Sequence, residues 1–222
     1  MPVISFASSK GGAGKTTSAI ILGTELAQGT SVTMIDADPA GRLARWSELA
    51  PLSDNLTVLV SGGERHIQAE IEEAASKSTV VIIDLEGTAS RLTSFAIAES
   101  DLVIIPTAEE QQDANEALET LAEVRRESRA RRQKIPAVIL KARTAAAVKS
   151  KLEKHIAAEL EKAGRVLKTE LNRRTAFSSL HNAGGGLREL DPNDVNGIDK
   201  AIVNAEAYAA EVFEILMEAD NA

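Results

Sequence analysis

The stretch Ser9-Lys10-Gly11-Gly12-Ala13-Gly14-Lys15-Thr16-Thr17 follows an apolar run, Val3-Ile4-Ser5-Phe6-Ala7, and leads into an Ala/Ile/Leu-rich segment with helical spacing. Strand, glycine-rich turn, helix is the context in which such a sequence wraps nucleotide phosphates. Glycines let consecutive backbone N–H groups curl around a polyanion, and the helix N-terminus adds partial positive charge. In that arrangement Gly11, Gly12, Ala13, Gly14 and Thr17 line the loop, and Lys15 sits on the β/γ-phosphates. The Thr16 hydroxyl is the Mg²⁺ ligand. The usual first glycine of G-x-x-x-x-G-K-[ST] is Ser9, and a second lysine, Lys10, lies inside the loop.

The rest of the chain alternates between strand and helix patterns. Strands are expected at Val3–Ala7, Ser31–Asp36, Thr57–Val60, Thr79–Asp84, Leu102–Pro106, Ala137–Lys141 and Val166–Leu171. Helices are expected at Thr16–Gln28, Arg65–Ser76, Ser90–Glu99, Gln111–Arg131, Ala145–Ala163, Thr175–Asn182 and Gly197–Glu218. Apolar runs such as Val80-Val81-Ile82-Ile83 read as central parallel strands, buried on both faces. The expected fold is α/β, a mostly parallel twisted sheet with helices on both faces, and ligands at the strand C-termini. A length of 222 residues suits a single domain spanning 1–222, with no helix-turn-helix domain before a first strand that begins at residue 3.

Two carboxylate clusters fall where such a fold places its ligand. Asp36-Ala37-Asp38-Pro39 ends the second strand, and Asp84 ends the apolar run Val80–Ile83. A carboxylate at position 84 can hold Mg²⁺ beside Thr16. Asp38 can equally be a turn residue before Pro39.

The loop K-G-G-x-G-K-T-T resembles the deviant Walker A motif of the ParA/MinD family of ATPases. Asp36 to Gly41 is similar to that family's switch I, D-x-D-P-Q-G, with Ala40 in place of Gln. The resemblance implies ATP and ADP as nucleotides, Mg²⁺ as the ion, and weak ATP hydrolysis. It makes Lys10 a residue that reaches across an ATP-bound homodimer, and Asp38 the carboxylate that positions the attacking water. Lys10, Lys15 and Asp38 are then the catalytic set. Leu171-Asn172-Arg173-Arg174-Thr175-Ala176-Phe177 resembles the segment that lines the adenine pocket, with Asn172 and Arg173 as the candidate contacts. Asp113 stands where the family often has an acidic residue near the dimer face, although an acidic residue at a helix start also suits the helix dipole. The family's D-x-P-P is replaced by Asp84-Leu85-Glu86-Gly87, which leaves Glu86 without a role and resembles a VirC1-like variant of the ParA group.

Charge is unevenly spread. The chain carries a net charge of −8, yet 16 Lys/Arg against 5 Asp/Glu lie between Arg125 and Arg174. Such asymmetry suits a phosphate-binding surface, and it also suits helices with solvated faces. Within the family it implies non-specific binding of duplex DNA, with Lys141, Arg143, Lys149 and Lys151 as candidate contacts. Few aromatics disfavour stacking on single strands. Histidines His66, His155 and His181 have no metal spacing. The absence of cysteine excludes disulfides, thiol catalysis and cysteine-ligated iron–sulfur clusters.

These readings lead to the expectation of a partition ATPase of plasmid or chromosomal DNA, cytoplasmic and nucleoid-associated, stimulated by a small ParB-like centromere-binding partner. A VirC1-like role in DNA transfer and a P-loop ligase or kinase acting on a small molecule are the alternatives. A membrane-recruited MinD-like role needs a basic amphipathic end, whereas Glu211 to Ala222 is acidic.

Overall fold

Each central strand alternates its side chains between two separate cores. Ile4 and Phe6, Met34, Ile82 and Ile104 face one side; Val3, Ile35, Ile83 and Ile105 face the other. That is the period-two geometry of a strand covered on both faces. The computed structural model describes residues 1–145 and 149–220. Its strands are β1 (Val3–Phe6), β2 (Val32–Ala37), β3 (Leu56–Val60), β4 (Val80–Leu85), β5 (Leu102–Thr107), β6 (Ala137–Thr144), β7 (Arg165–Val166) and β8 (Leu171–Asn172). They form one sheet in the order β3-β2-β4-β1-β5-β6-β7, with β8 also on β6. Every pairing is parallel.

The helices are α1 (Lys15–Leu26), α2 (Arg42–Ser47), α3 (Ile67–Lys77), α4 (Arg91–Ala98), α5 (Gln111–Arg131), α6 (Lys151–Ala163), α7 (Thr175–Ala183) and α8 (Ile198–Asp220). Helices α1, α2, α7 and α8 supply one core, through residues such as Ile20, Trp46, Phe177 and Tyr208. Helices α3 to α6 supply the other, through Ile71, Ile97, Leu121 and Ile156. Since all strands run the same way, the loops after β1, β2, β4 and β6 gather at one edge, and the strand order reverses around β1.

Three local expectations are corrected. Helix α2 falls in a stretch left without structure, because six residues are too few to show a helical period. The single strand Val166–Leu171 is two short pairings, β7 and β8, which meet β6 at Val138–Ile139 and at Ala142–Thr144. The helix placed at Ala145 begins instead at Lys151, where Ser150 and Glu153 form a reciprocal capping box; residues 146–148 of that expectation lie outside the described ones.

Candidate nucleotide site

The turn between β1 and α1 adopts backbone that only glycine takes readily. Gly12 has φ 90° and Gly14 φ 94°, in the left-handed region where a Cβ would be strained. Lys15 begins α1 and is buried, with only 6% of its surface exposed. Its Nζ donates to the Lys10 carbonyl at 3.1 Å, so the loop closes on its own lysine. Burial pulls the Lys15 ammonium below its usual range, and Asp84 and Asp38 oppose that. A lysine under such pressure gains from an anion placed against it.

The next residue carries the most telling contact. Thr16 Oγ1 donates to Asp84 Oδ2 at 2.6 Å in a buried bond. Asp84 sits at the end of β4, in register with Asp36 at the end of β2. Burial pushes the Asp84 carboxyl up to about 7, and its other oxygen, Oδ1, is buried with no hydrogen-bond partner. A buried carboxylate with a free oxygen beside a threonine hydroxyl fits a hard divalent cation such as Mg²⁺. Among the described residues no group of three or more His, Cys, Asp or Glu could hold a metal unaided. Mg²⁺ here therefore needs phosphate or water oxygens as well, its habit in nucleotide sites.

Switch I folds around Asp36. Its Oδ2 accepts the Ala44 N–H at 2.8 Å and its Oδ1 the Asp38 N–H at 3.2 Å. The first of these caps α2 from outside, since the residue preceding α2, Gly41, has no side chain to do so. Asp38 is tied down as well. Its Oδ1 accepts the Ala40 N–H at 2.9 Å, and its Oδ2 pairs with Arg42 at 3.0 Å. Asp38 thus closes a turn, and it also lines a hollow over this edge of the sheet.

Two adjoining hollows run over this edge. One, of about 320 Å³, is lined by Gly12, Lys15, Thr16, Asp38 and Arg42 among others. The other, of about 340 Å³, lies between Ile21, Ala142, Asn172, Arg173, Arg174 and Phe177. Both are cationic: Lys15, Arg42 and Arg143 in the first suit phosphates, and the second adds the Phe177 ring and the Asn172 amide to Arg143, Arg173 and Arg174, an apolar face with a few polar groups. Asn172 and Arg173 are both in it. Asn172 is partly spent on structure: its Nδ2 donates to Thr144 Oγ1 at 2.8 Å.

Two lining residues, Arg42 and His181, carried no sequence signal. Arg42 lies one residue past the switch I motif. His181 of α7 shares a 2.7 Å hydrogen bond between its Nε2 and Thr17 Oγ1, and burial together with Arg42 lowers its pKa. Phe177, the end of the segment that resembles the adenine-pocket lining, enters the cleft from α7.

Lys10 and the basic residues are arranged less simply than their spacing suggests. Lys10 Nζ pairs with Asp113 at 2.9 Å, a hydrogen bond that raises the lysine above its ordinary range. Asp113 is thereby a partner of Lys10 within one chain rather than a free residue at a helix start. Lys141 binds Glu170 at 2.6 Å, and Lys149 binds Glu170 and, at 3.1 Å, Glu109. Arg143 reaches inward to the Gly12 carbonyl at 3.0 Å. Lys151 is exposed and makes no ion pair among the described residues. The four candidate DNA contacts therefore do not form one open surface in this conformation.

A family model described as VirC1 protein matches residues 1–204. Protein ParA of Rhizobium radiobacter is 39% identical over 221 residues, 99% of each chain. The chain belongs to the VirC1 family of ParA-like P-loop ATPases. Protein virC1 of Rhizobium radiobacter is 32% identical over 190 residues, covering 83% of this chain and 82% of that one. Among solved structures, a plasmid partition protein of Borrelia burgdorferi B31 bound to AMPPNP superposes with TM-score 0.72 at 21% identity, over 96% of this chain and 98% of the other. At that identity the likeness establishes the ParA-like fold. No helix among the described residues is long and apolar enough to cross a membrane.

Proposed function

We propose that this chain is an ATP-dependent partition ATPase that dimerises around nucleotide and, in that form, holds duplex DNA without regard to sequence. The observation that carries the nucleotide reading is the Thr16–Asp84 bond beneath a glycine-rich loop that holds a buried Lys15. The near-complete match to a ParA protein supports partition as the process.

The residues divide the work. Loop N–H groups and Lys15 bind the β/γ-phosphates. Thr16 and Asp84 hold Mg²⁺, which neutralises charge on the phosphates when bound. Asp38, once it leaves Arg42, orients the attacking water. Lys10, once it leaves Asp113, reaches the nucleotide of a second copy. Phosphoryl transfer to water needs this positioning and neutralisation more than covalent chemistry. A small ParB-like protein stimulates hydrolysis and releases the DNA, and the ATP form is held on the nucleoid in the cytoplasm.

Lys15→Ala tests the reading. Lys15 is the cation buried at the start of α1 against the loop, so its removal should make binding of labelled ATP fall below detection. Binding at wild-type affinity would reject the nucleotide site.

A VirC1-like role in DNA transfer is the second reading, favoured by the family model and by the missing diproline after Asp84. Stability of a test plasmid that carries this gene and its neighbours separates the two. Partition requires that Lys15→Ala raise plasmid loss in dividing cells, whereas a transfer role lowers conjugation and leaves inheritance intact.

A further inference from the structure

Arg143 is the one candidate DNA contact whose guanidinium turns into the nucleotide cleft. Its backbone has φ 60°, a left-handed conformation that is strained for a residue with a long side chain. The strain has a visible cause. Arg143 lies between Ala142 and Thr144, where the pairing of β6 with β8 shifts register. Both neighbours are buried, at 2% and 0% exposure. Thr144 is pinned further by Arg173, whose N–H donates to its carbonyl at 2.8 Å. The bulge leaves Arg143 outside the ladder and re-aims its side chain, as bulges beside active sites do.

The aim is specific. One guanidinium nitrogen donates to the Gly12 carbonyl at 3.0 Å, across 131 residues of sequence. Arg143 borders both hollows, together with Gly14, Thr17, Ser178 and His181. It therefore stands at the seam between the phosphate half and the base half. A neutral carbonyl is a modest acceptor for a guanidinium; a phosphate oxygen is a charged one that an arginine can engage with two parallel N–H groups.

We propose that Arg143 is a nucleotide-binding residue, its guanidinium passing from the Gly12 carbonyl to the phosphate chain of bound ADP or ATP. The assignment rests on the nucleotide reading above. It removes Arg143 from the DNA surface and gives the strained bulge a purpose: an unstrained strand would carry this side chain along the sheet instead of into the cleft.

The test is titration of the full chain with MANT-ADP and MANT-ATP, using four variants at position 143. Arg143→Ala should weaken both nucleotides by about tenfold or more, the scale of a charge-assisted hydrogen bond. Arg143→Lys should recover part of that loss, since it keeps the charge without the fork. Arg143→Gln keeps a donor for the Gly12 carbonyl but no charge, and should bind as poorly as the alanine variant. Arg143→Gly should bind equally poorly while melting at or above the wild-type temperature, because glycine relieves the positive φ. Wild-type affinity in Arg143→Ala overturns the proposal and leaves the nucleotide reading intact. Wild-type affinity in Arg143→Gln also overturns it, because bracing of the loop is then the whole effect. A wild-type chain that binds neither nucleotide overturns the nucleotide reading itself, and this proposal with it.

Discussion

Two of the three residues expected to catalyse hydrolysis are held by partners in this structure. Lys10 is held by Asp113, and Asp38 by Arg42. Each pair is half-exposed on its cationic side, so each is individually weak and easily exchanged for a phosphate. Lys10→Ala should therefore leave ATP affinity near wild type and abolish the ATP-dependent dimer. Sedimentation with ATP measures this, and an undiminished dimer with normal turnover rejects a role in trans. Asp38→Ala removes water positioning without removing a phosphate contact. It should lower turnover by at least tenfold while affinity changes little, as steady-state ATPase assays and equilibrium binding would report. His181 gives a pH signature at the same scale. Its pKa is lowered in the folded chain by burial and by Arg42, so below about 6.5 the unfolded chain takes up a proton that the folded one resists. Stability should accordingly fall as pH drops through that value. Thermal melts at pH 8 and pH 5.5 should show a smaller acid loss in His181→Gln than in wild type.

At the scale of elements, the turn after β4 carries Asp84-Leu85-Glu86-Gly87 in place of the family's D-x-P-P, and Gly87 there meets a steric limit. A Cβ on Gly87 would lie 2.9 Å from the Gly11 nitrogen and 2.9 Å from the Lys10 carbonyl carbon. The backbone after β4 therefore rests directly on the phosphate loop, at a position where the family's second proline would place ring atoms. Gly87→Ala should cost about 1–3 kcal/mol through overpacking, seen as a lower melting temperature with weakened ATP binding; an unchanged melt would show that the contact yields freely. Packing of α8 offers an opposite case. Tyr208 is fully buried and its hydroxyl has no hydrogen-bond partner, so Tyr208→Phe should stabilise by about 1 kcal/mol, a rise of roughly 2–4 °C in a chain of this size. The elements themselves were legible wherever the sequence repeats a period for long enough. Apolar runs such as Val80–Ile83 and Leu102–Ile105 can only be buried parallel strands, and the glycine-rich turn fixes its own neighbours. Helix α2 was illegible because its 6 residues are too few to show a helical period and its cap, Asp36, comes from the previous strand. The cleft residues Arg42 and His181 were illegible because they reach the site through folding and not through spacing.

At the scale of the whole molecule, the basic segment proves to straddle the sheet. Arg131, Arg132 and Lys134 precede the start of β6, whereas Lys149, Lys151 and Lys154 follow its end. Eight residues of strand separate the two groups by roughly 26 Å. Only the second group shares an edge with the nucleotide. DNA held by the ATP form should therefore depend on Lys151 and Lys154 more than on the α5 terminus. In gel shifts with ATP on unrelated duplexes, Lys151→Glu with Lys154→Glu should weaken retention more than Arg131→Glu with Arg132→Glu. Retention should also drop by orders of magnitude between about 50 and 200 mM salt, and equal effects from both pairs would place the DNA elsewhere. The strand order has a further consequence, in time rather than in space. Of the described strands, the earliest in sequence is the one that ends in the middle: Val3 pairs with Val81, and Ile4 with Leu102. At ribosomal speed β1 waits roughly 4–16 s for its first neighbour on that side. Through that interval Val3, Ile4 and Phe6 lack both of their sheet neighbours, so the phosphate loop they carry cannot take shape until β4 and β5 have emerged, and nascent chains that stop short of β5 should be the ones that chaperones hold.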